Sequence, residues 1–384
     1  MANSTFICQK KCRLSLLILD PFCEKGRQMK ALTGILIATI VLLVFVSSGI
    51  SQPVRRGQPE PAPPPKPKAD LQARAQVGGA KSSVWMCPPA YENGRCFRAL
   101  FEKPDEWKAT RSLIDVLFYS DLNLKKQFTD DELRAWFAQV QSWGIKLAME
   151  VGAIKPWGLT GEKTLNLERP NWDRVQRLGG NIYAIAMDEP LLCARMHIHK
   201  PDDYAVQETA SYIALARKNY PQILIGDIET YPSIPLPDHF WWIEALEKRL
   251  AEMNVRGLDF YRLDVNWSNF VAFNRGSWLE VKKLEQYCRS RKLPFSLIYW
   301  ASDYPVMKRK GLADDSTWYV SIMRQGYDYA MVQGAPDQYV IESWIETPSH
   351  SLPETGEWTF TRSVRDFARK FVKPDTMRSG EAAR

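Results

Sequence analysis

Eight short apolar runs recur between about residues 83 and 348, and most of them precede a stretch in which apolar residues have helical spacing. Strands that are buried on both faces read as nearly continuous hydrophobic runs, as in parallel sheets. Eight strands that alternate with helices close into a (β/α)8 barrel of about 250 residues. The sequence therefore predicts an α/β protein with one TIM barrel. The runs cover residues 84–89, 115–120, 146–152, 183–190, 223–229, 258–267, 295–302 and 339–346.

Helix signals between the runs support this order of elements. Thr129 and Glu132 have the spacing of a capping box, and apolar residues follow at helical intervals. Similar stripes occupy 204–218, 239–253 and 278–290. The crossover around 165–178 is weaker because Pro170 interrupts it. The segment 307–325 is mixed, which predicts a short helix there.

The two ends of the chain differ in composition from the predicted barrel at 83–373. Residues 1–51 form a leader in which the apolar run 31–46 follows Lys30 and ends in small residues, as in a secretory signal cleaved after Ser51. Met29 is then the expected true start. Residues 52–82 include a segment, 53–68, with seven prolines and read as an extended linker, and 374–384 read as a loose tail.

An uncleaved signal anchor is the alternative interpretation of the leader, because about 16 to 20 apolar residues can just span a bilayer. Both interpretations predict a secreted or periplasmic domain, with a possible membrane tether in the second. The net charge of +7 comes partly from basic residues in the leader and linker, so the barrel is closer to neutral. This distribution gives no indication of a nucleic-acid partner.

Cysteine and histidine usage narrows the chemistry. The predicted domain contains Cys87, Cys96, Cys193 and Cys288, and export allows disulfides. Cys87 and Cys96 flank a turn-forming stretch and are the expected pair. His197 and His199 form an isolated HxH pattern, and no CxxC pair suggests zinc, so we expect no catalytic metal and no cofactor. Nucleotide enzymes and serine hydrolases lack support because no phosphate loop or GxSxG motif is present.

Acidic residues lie at or just beyond the ends of six of the eight runs, the third to the eighth. The active sites of TIM barrels are built at the carboxyl ends of the strands, so this pattern predicts carboxylate chemistry. Asp227 and Glu229 have a two-residue spacing that places both on one face of their strand. Any single acid of this kind could instead form an ion pair or cap a helix. The acids are Glu150, Asp188, Glu189, Asp227, Glu229, Asp264, Asp303, Glu342 and Glu346.

Aromatic residues accompany these acids. Aromatic side chains at strand ends suit stacking on sugar rings, although each of them could equally pack in the core. Asn266 and Asn269 could bind hydroxyl groups. We predict substrate binding by Glu150, Asp188, Tyr119, Trp267, Trp300, Trp344, Glu342, Glu346 and Asn266. Further aromatic residues at or after strand ends are Trp157, Tyr231, Tyr299 and Tyr304.

The most specific motif is Met187-Asp188-Glu189-Pro190 at the end of the fourth run. It resembles the Asn-Glu-Pro end of strand four in the superfamily of (β/α)8 retaining glycoside hydrolases, whose Glu is the general acid/base. That resemblance implies this role for Glu189. The sequence departs from the superfamily in having Asp188 in place of Asn and in offering no Glu at the seventh run, where only Asp303 is acidic. The chain also resembles a group of exported bacterial barrel proteins, and that similarity implies no particular activity.

Three functions remain open from the sequence. The first is an exported glycoside hydrolase acting on a polysaccharide, with Glu189 as acid and Asp227, Glu229 or Asp264 as base or nucleophile. The second is a carbohydrate-binding barrel without turnover, and the third is a metal-dependent hydrolase or lyase. Retention of anomeric configuration requires two carboxyl groups about 5 to 5.5 Å apart, and inversion about 6.5 to 9.5 Å.

Overall fold

The computed structural model describes residues 82–373. Eight parallel strands pair in chain order and close between the last and the first, so the predicted TIM barrel is confirmed. Several strands are shorter than the apolar runs, and β8 ends at Glu342, which places Glu346 beyond the strand. The strands are β1 Ser83–Cys87, β2 Val116–Ser120, β3 Lys146–Val151, β4 Ile182–Asp188, β5 Leu224–Tyr231, β6 Phe260–Val265, β7 Phe295–Tyr299 and β8 Gln338–Glu342.

Helices follow the strands around the barrel. Those between β1 and β4 are α1 Tyr91–Glu102, α2 Lys108–Arg111, α3 Asp121–Gln127, α4 Asp130–Ser142 and α5 Gly161–Arg177. Those between β4 and β7 are α6 Pro190–Met196, α7 Asp202–Asn219, α8 Leu236–Glu252, α9 Ser268–Ala272 and α10 Trp278–Ser290. The last are α11 Tyr304–Arg309, α12 Asp315–Met331 and α13 Phe360–Phe367, which a π-helical turn, Ala368–Val372, extends.

The local helix signals correspond to these elements. The capping box at Thr129 is present, since its side chain accepts from the Glu132 amide while the Glu132 carboxylate accepts from the Thr129 amide. Helix α5 continues through Pro170. The mixed segment 307–325 contains the end of the short helix α11 and the first part of α12.

A buried arginine identifies the inner face of the sheet. The Arg262 side chain donates from Nε to Ser296 Oγ (2.8 Å) and from Nη2 to Gln338 Oε1 (3.2 Å). Its guanidinium carbon lies 4.3 Å from the centre of the Trp85 ring and 4.7 Å from that of Phe118. These partners belong to β7, β8, β1 and β2, so they meet only inside the barrel. Alternate residues along each strand share this inner face.

The outer face of the sheet packs against the helices. Tyr119 lies there, because its ring centre is 4.2 Å from that of Phe97 in α1 and its hydroxyl donates to Gln127 Oε1 (2.8 Å). Tyr231 donates to Glu280 in α10, and Tyr299 packs 4.6 Å from Phe367 in α13. Three of the aromatic residues proposed to line the cleft are therefore core residues.

The predicted disulfide is wrong. Cys87, Cys96, Cys193 and Cys288 are all buried, and none of these four forms a disulfide in the structure. Cys87 is the last residue of β1, where it pairs in register with Glu342. Cys96 lies in α1 with its Sγ 3.8 Å from the Ser349 carbonyl oxygen. The turn between them directs the two thiols to different neighbours.

The predicted leader, linker and tail lie outside the described residues, apart from residue 82 at the end of the linker. Within residues 82–373, no helix is long and apolar enough to cross a bilayer.

Gly226 provides a test of packing inside the barrel. It lies on the inner face of β5, paired with Ala186 and Phe260, and a Cβ at this position would stand 2.0 Å from Phe260 Cε2. We expect Gly226→Ala to lower the free energy of unfolding by about 1–3 kcal/mol, the usual cost of overpacking. Urea denaturation of Gly226→Ala, Phe260→Leu and the double variant measures the coupling. The double variant should recover part of the loss, and strictly additive effects would contradict the proposed clash.

Candidate active site

Four carboxyl groups lie on the inner face at the carboxyl ends of their strands. Asp264 follows Arg262 by two residues, and Glu342 follows Gln338 by four, so both share the inner face of their strands. The register of β2 with β3 and of β3 with β4 shows that Glu150 and Asp188 also lie on the inner face of their strands. We name Glu150, Asp188, Asp264 and Glu342 the carboxylate ring. It draws on β3, β4, β6 and β8 and lies at the end of the barrel where TIM-barrel active sites are built.

Arg262 lies beneath this ring and is fully buried. Burial lowers the pKa of its guanidinium to about 10, while the carboxylates of Glu342 and Glu150 act in the opposite direction. The group therefore remains charged at neutral pH. A buried cation is tolerated only when acceptors and opposite charges compensate its lost hydration, and Ser296, Gln338 and the nearby carboxylates do so here.

A second buried cation lies at the rim. Lys155, in the loop after β3, donates from Nζ to Asp188 Oδ2 at 2.7 Å. Burial acts to lower the pKa of this amine, but the charges of Asp188 and Glu189 outweigh it and raise the pKa above its ordinary value. Lys155 is therefore an ammonium ion at neutral pH, and it lies close to both carboxyl groups of the Asp188-Glu189 pair.

Glu189 occupies the turn between β4 and α6. Its backbone is in the left-handed region, with φ 54° and ψ 51°, which is uncommon for a residue other than glycine. Such a conformation interrupts the strand alternation, so the consecutive residues Asp188 and Glu189 both come within electrostatic range of Lys155. Glu189 is only 9% exposed. Strained backbone of this kind is concentrated at functional sites.

Indole rings border the same end of the barrel. Trp300, directly after β7, and Trp344, just after β8, are half-buried with ring centres 4.3 Å apart. Trp267 follows β6, is largely buried and carries Arg324 over its ring at 5.2 Å. Asn266 lies beside it, and its Oδ1 accepts from Ser268 Oγ at 2.8 Å. We name Trp300 and Trp344 the indole pair.

The structure places Asp227 and Glu229 away from this mouth. They share one face of β5, as their spacing predicts, but it is the outer face. Asp227 Oδ2 accepts from Trp242 Nε1 in α8 at 2.6 Å, and the Glu229 carboxylate accepts from the Leu191 and Leu192 amides at the start of α6 (2.5 and 3.2 Å). Both groups are fully buried, and burial raises their pKa values well above the ordinary range. This position indicates a structural role and provides no access to a substrate.

Two further predicted site residues, Glu346 and Tyr119, also lie outside the ring, as does Asp303, the acid that follows the seventh run. The carboxylate of Glu346 is exposed and accepts from Tyr304 Oη and Lys308 Nζ, each at 2.5 Å. Asp303 accepts from Ser321 Oγ in α12 at 2.8 Å. Tyr119 is buried against Phe97 of α1, on the outer face of the sheet. The sheet holds no inward carboxylate on β7, where Ile298 pairs with Asp264 and Val340.

A pair of buried acids behind the mouth was missed by the sequence reasoning. Glu168 in α5 accepts from the Gly152 amide directly after β3 and from Tyr212 Oη, each at 2.6 Å. Asp121, the residue that follows β2, accepts from Asn171 Nδ2. Burial raises the pKa of Asp121 to about 7, and burial with the charge of Asp121 raises that of Glu168 to about 8. The position of Asp121 directly after an apolar run could have identified it from the sequence. Nothing in the sequence distinguishes Lys155, because lysines are common in loops.

Metal coordination has little support from the arrangement of side chains. Within residues 82–373, no group of three or more His, Cys, Asp and Glu side chains is placed to hold a metal ion. His197 and His199 follow α6, and the first is partly exposed and the second exposed. His239 is buried and bonded to Tyr261 Oη at 2.7 Å.

Comparison with known proteins assigns neither a family nor a function to this chain. No known protein family and no curated protein matches this sequence. Among solved structures, Xylanase10C from Cellvibrio japonicus in complex with xylopentaose has a TM-score of 0.47 at 9% identity over 78% of this chain and 68% of that one. A GH10 endoxylanase from a sugarcane soil metagenome has 0.41 at 9% over 70% and 87%. An aldolase, QR15, has 0.40 at 12% over 76% and 94%.

The buried acid pair predicts a pH dependence of stability. The ordinary pKa values of Asp121 and Glu168 are 3.8 and 4.5, and both are raised in the folded protein. Between about pH 4 and pH 8 the folded protein therefore holds protons that the unfolded chain releases, so the stability contributed by the pair falls as pH rises through this window. Asp121→Asn removes one titrating group. We expect its free energy of unfolding to fall less between about pH 5 and pH 8 than that of the wild type.

Denaturant titrations across this pH range provide the measurement. Glu357→Gln, which alters an exposed carboxyl group, is the control and should follow the wild-type profile. An unchanged pH profile in Asp121→Asn would argue against proton binding by the pair.

Proposed function

We propose that this protein is a glycoside hydrolase that cleaves a polysaccharide by carboxylate acid/base catalysis. The observation that carries the proposal is the meeting of the carboxylate ring and the indole pair at one end of the barrel. Carboxyl groups supply the proton transfers of glycoside hydrolysis, and indole faces suit sugar rings. The low-identity structural likenesses include both xylanases and an aldolase and do not distinguish between these chemistries.

Glu189 is the proposed general acid. A poor leaving group such as a sugar alkoxide needs a proton as the glycosidic bond breaks, and a positioned carboxylic acid supplies it. Glu189 is at the end of β4, mostly buried, and its backbone turn brings it beside Asp188 at the mouth. Lys155 holds Asp188 in place by the 2.7 Å ion pair, which makes Lys155 a positioning residue.

Asp264 is the proposed base. It lies two strands from β4, and two strand spacings amount to about 10 Å, close to the upper end of the separation in inverting enzymes. A water molecule bound near Asp264 would attack the sugar carbon and transfer its proton to the carboxylate as the bond to the leaving oxygen breaks. Since β7 offers no inward carboxylate, the arrangement supports inversion rather than the double displacement of the retaining superfamily.

Substitution of Glu189 tests this assignment. Glu189→Gln keeps the shape of the side chain but cannot donate the proton, so we expect turnover to fall by about 10²–10⁴ with little change in substrate binding. Reducing-end release from a panel of polysaccharides measures turnover, and calorimetry measures binding. Asp264→Asn should show a comparable loss. Glu252→Gln, at the exposed end of α8, is the control.

Two outcomes would overturn the assignment. Wild-type turnover in Glu189→Gln would remove this residue from catalysis. Binding by the wild-type protein with no turnover on any glycan would favour a carbohydrate-binding barrel. Proton NMR of the first-formed product then decides between inversion and retention in an active protein.

A lyase is the second candidate, and Lys155 is the observation that favours it. An ammonium ion beside two carboxyl groups can stabilise the negative charge that develops when a base removes a proton next to a carbonyl or carboxylate. Cleavage would then leave an unsaturated sugar that absorbs ultraviolet light, whereas hydrolysis leaves a saturated one. Product absorbance therefore separates the two reactions.

We also propose export to a secreted or periplasmic location. Support comes from the apolar run 31–46, its preceding Lys30 and the small residues up to Ser51. Amino-terminal sequencing of the protein from its native host should find a chain beginning at Gln52. A chain that retains the apolar run in the membrane fraction would instead indicate the tether.

A further inference from the structure

We propose that the mouth of this barrel selects a polysaccharide built from cationic sugars, that is, a hexosamine polymer with free amino groups. The inference rests on the proposed function in taking the mouth as a sugar site, and it adds the substrate class. It is carried by the charge and hydrogen-bonding groups of the inner face.

The charge of the mouth is the first observation. Five carboxyl groups border it, and the two cations found among them in the described part of the chain are Lys155 and Arg262. Arg262 is fully buried, lies against aromatic rings and donates to Ser296 and Gln338. Lys155 is bonded to Asp188. Arg324, which lies over Trp267, is at the exposed rim, 3.5 Å from Asp328. The carboxyl groups are Glu150, Asp188, Glu189, Asp264 and Glu342.

A cleft lined by one sign of charge concentrates ligands of the opposite sign, because its low-dielectric walls focus the field. Even with Glu189 protonated as the proposed acid, four other carboxyl groups face the two cations, which lie below or beside them. Ionised carboxylates therefore give a ligand above the ring a negative field. A uronic acid polymer would bring carboxylates against carboxylates. A protonated amino sugar would bring an ammonium group to them.

Polar atoms on the same face point to a ligand with hydroxyl groups. Thr230 is 4% exposed and pairs in register with Asp264 on the inner face, and its hydroxyl has no hydrogen-bond partner within residues 82–373. The indole nitrogens of Trp267 and Trp300 are buried and likewise lack an acceptor among those residues. Buried polar groups are normally paired, and an indole N–H can only donate, so these three atoms mark positions for the hydroxyl oxygens of a bound molecule.

The indole pair also favours a cationic sugar. The faces of aromatic rings carry negative electrostatic potential and attract cations, most strongly in tryptophan. Trp300 and Trp344 meet at 4.3 Å beside Glu342 at the end of β8. A sugar with an ammonium substituent can therefore stack on the indole pair and direct its charge to the ring of acids.

Matched oligosaccharides test the inference on the full-length protein. Calorimetry would compare an oligomer of glucosamine with its N-acetylated counterpart of the same length and linkage, and with a galacturonate oligomer, at mildly acidic pH and low salt. We expect the glucosamine oligomer to bind about tenfold or more tightly than the acetylated oligomer and the galacturonate oligomer not to bind. Raising the salt concentration should reduce the advantage, because charges near solvent are screened.

Substitutions that neutralise members of the carboxylate ring test whether the ring causes the preference for the glucosamine oligomer. Glu342→Gln and Glu150→Gln should each reduce the preference for the glucosamine oligomer, whereas Trp344→Ala should weaken the binding of both oligomers, that of the glucosamine oligomer more strongly. Should a ring variant fail to fold, the salt dependence in the wild-type protein still decides. Equal or tighter binding of the acetylated or anionic oligomer, or no binding of any of them, would overturn the inference.

The same experiment separates this inference from the proposed function. Hydrolysis of neutral polysaccharides with no preference for amino sugars would retain the hydrolase and reject the substrate class. Selective binding of the glucosamine oligomer without turnover of any glycan would retain the substrate class and reject the hydrolase.

Discussion

The arrangement of the mouth depends on how the buried charge of Arg262, inside the barrel, is compensated by its neighbours. Its guanidinium donates to side chains of β7 and β8 and lies against rings of β1 and β2, so it connects strands across the interior. A cation at this depth needs compensation, and the carboxyl groups of Glu150 and Glu342 contribute to it. The charge of Arg262 thus stabilises these acids at the carboxyl end of the barrel, independently of any catalytic role.

Identical residue types serve different purposes on the two faces of the sheet. Asp264 faces the interior and borders the mouth, while Asp227 accepts a hydrogen bond from Trp242 and Glu229 holds the first turn of α6. The outer acids therefore attach helices to the sheet. Glu229 also fixes the start of α6 directly behind Glu189, so it affects the candidate acid through the backbone rather than through the substrate.

The carboxyl end of β3 depends on a second buried group. Glu168 accepts from the Gly152 amide, two residues after Glu150 and three before Lys155. Burial, together with the charge of its neighbour Asp121, raises the pKa of Glu168, so the pair takes up protons near neutral pH. A titratable carboxyl group of α5 therefore holds the start of the loop that carries Lys155 to Asp188.

The sequence by itself determined the eight strands, the order of strands and helices, the capping box at Thr129 and the clustering of acids at one end, because these follow from local periodicity and chain order. Tertiary structure alone decided which acids face inward. A two-residue spacing places Asp227 and Glu229 together but does not say on which face, and strands buried on both sides lack the polar alternation that would reveal it. The ion pair of Lys155 with Asp188 and the separation of Cys87 from Cys96 were decided in the same way, by contacts between segments distant in sequence or on different sides of the sheet.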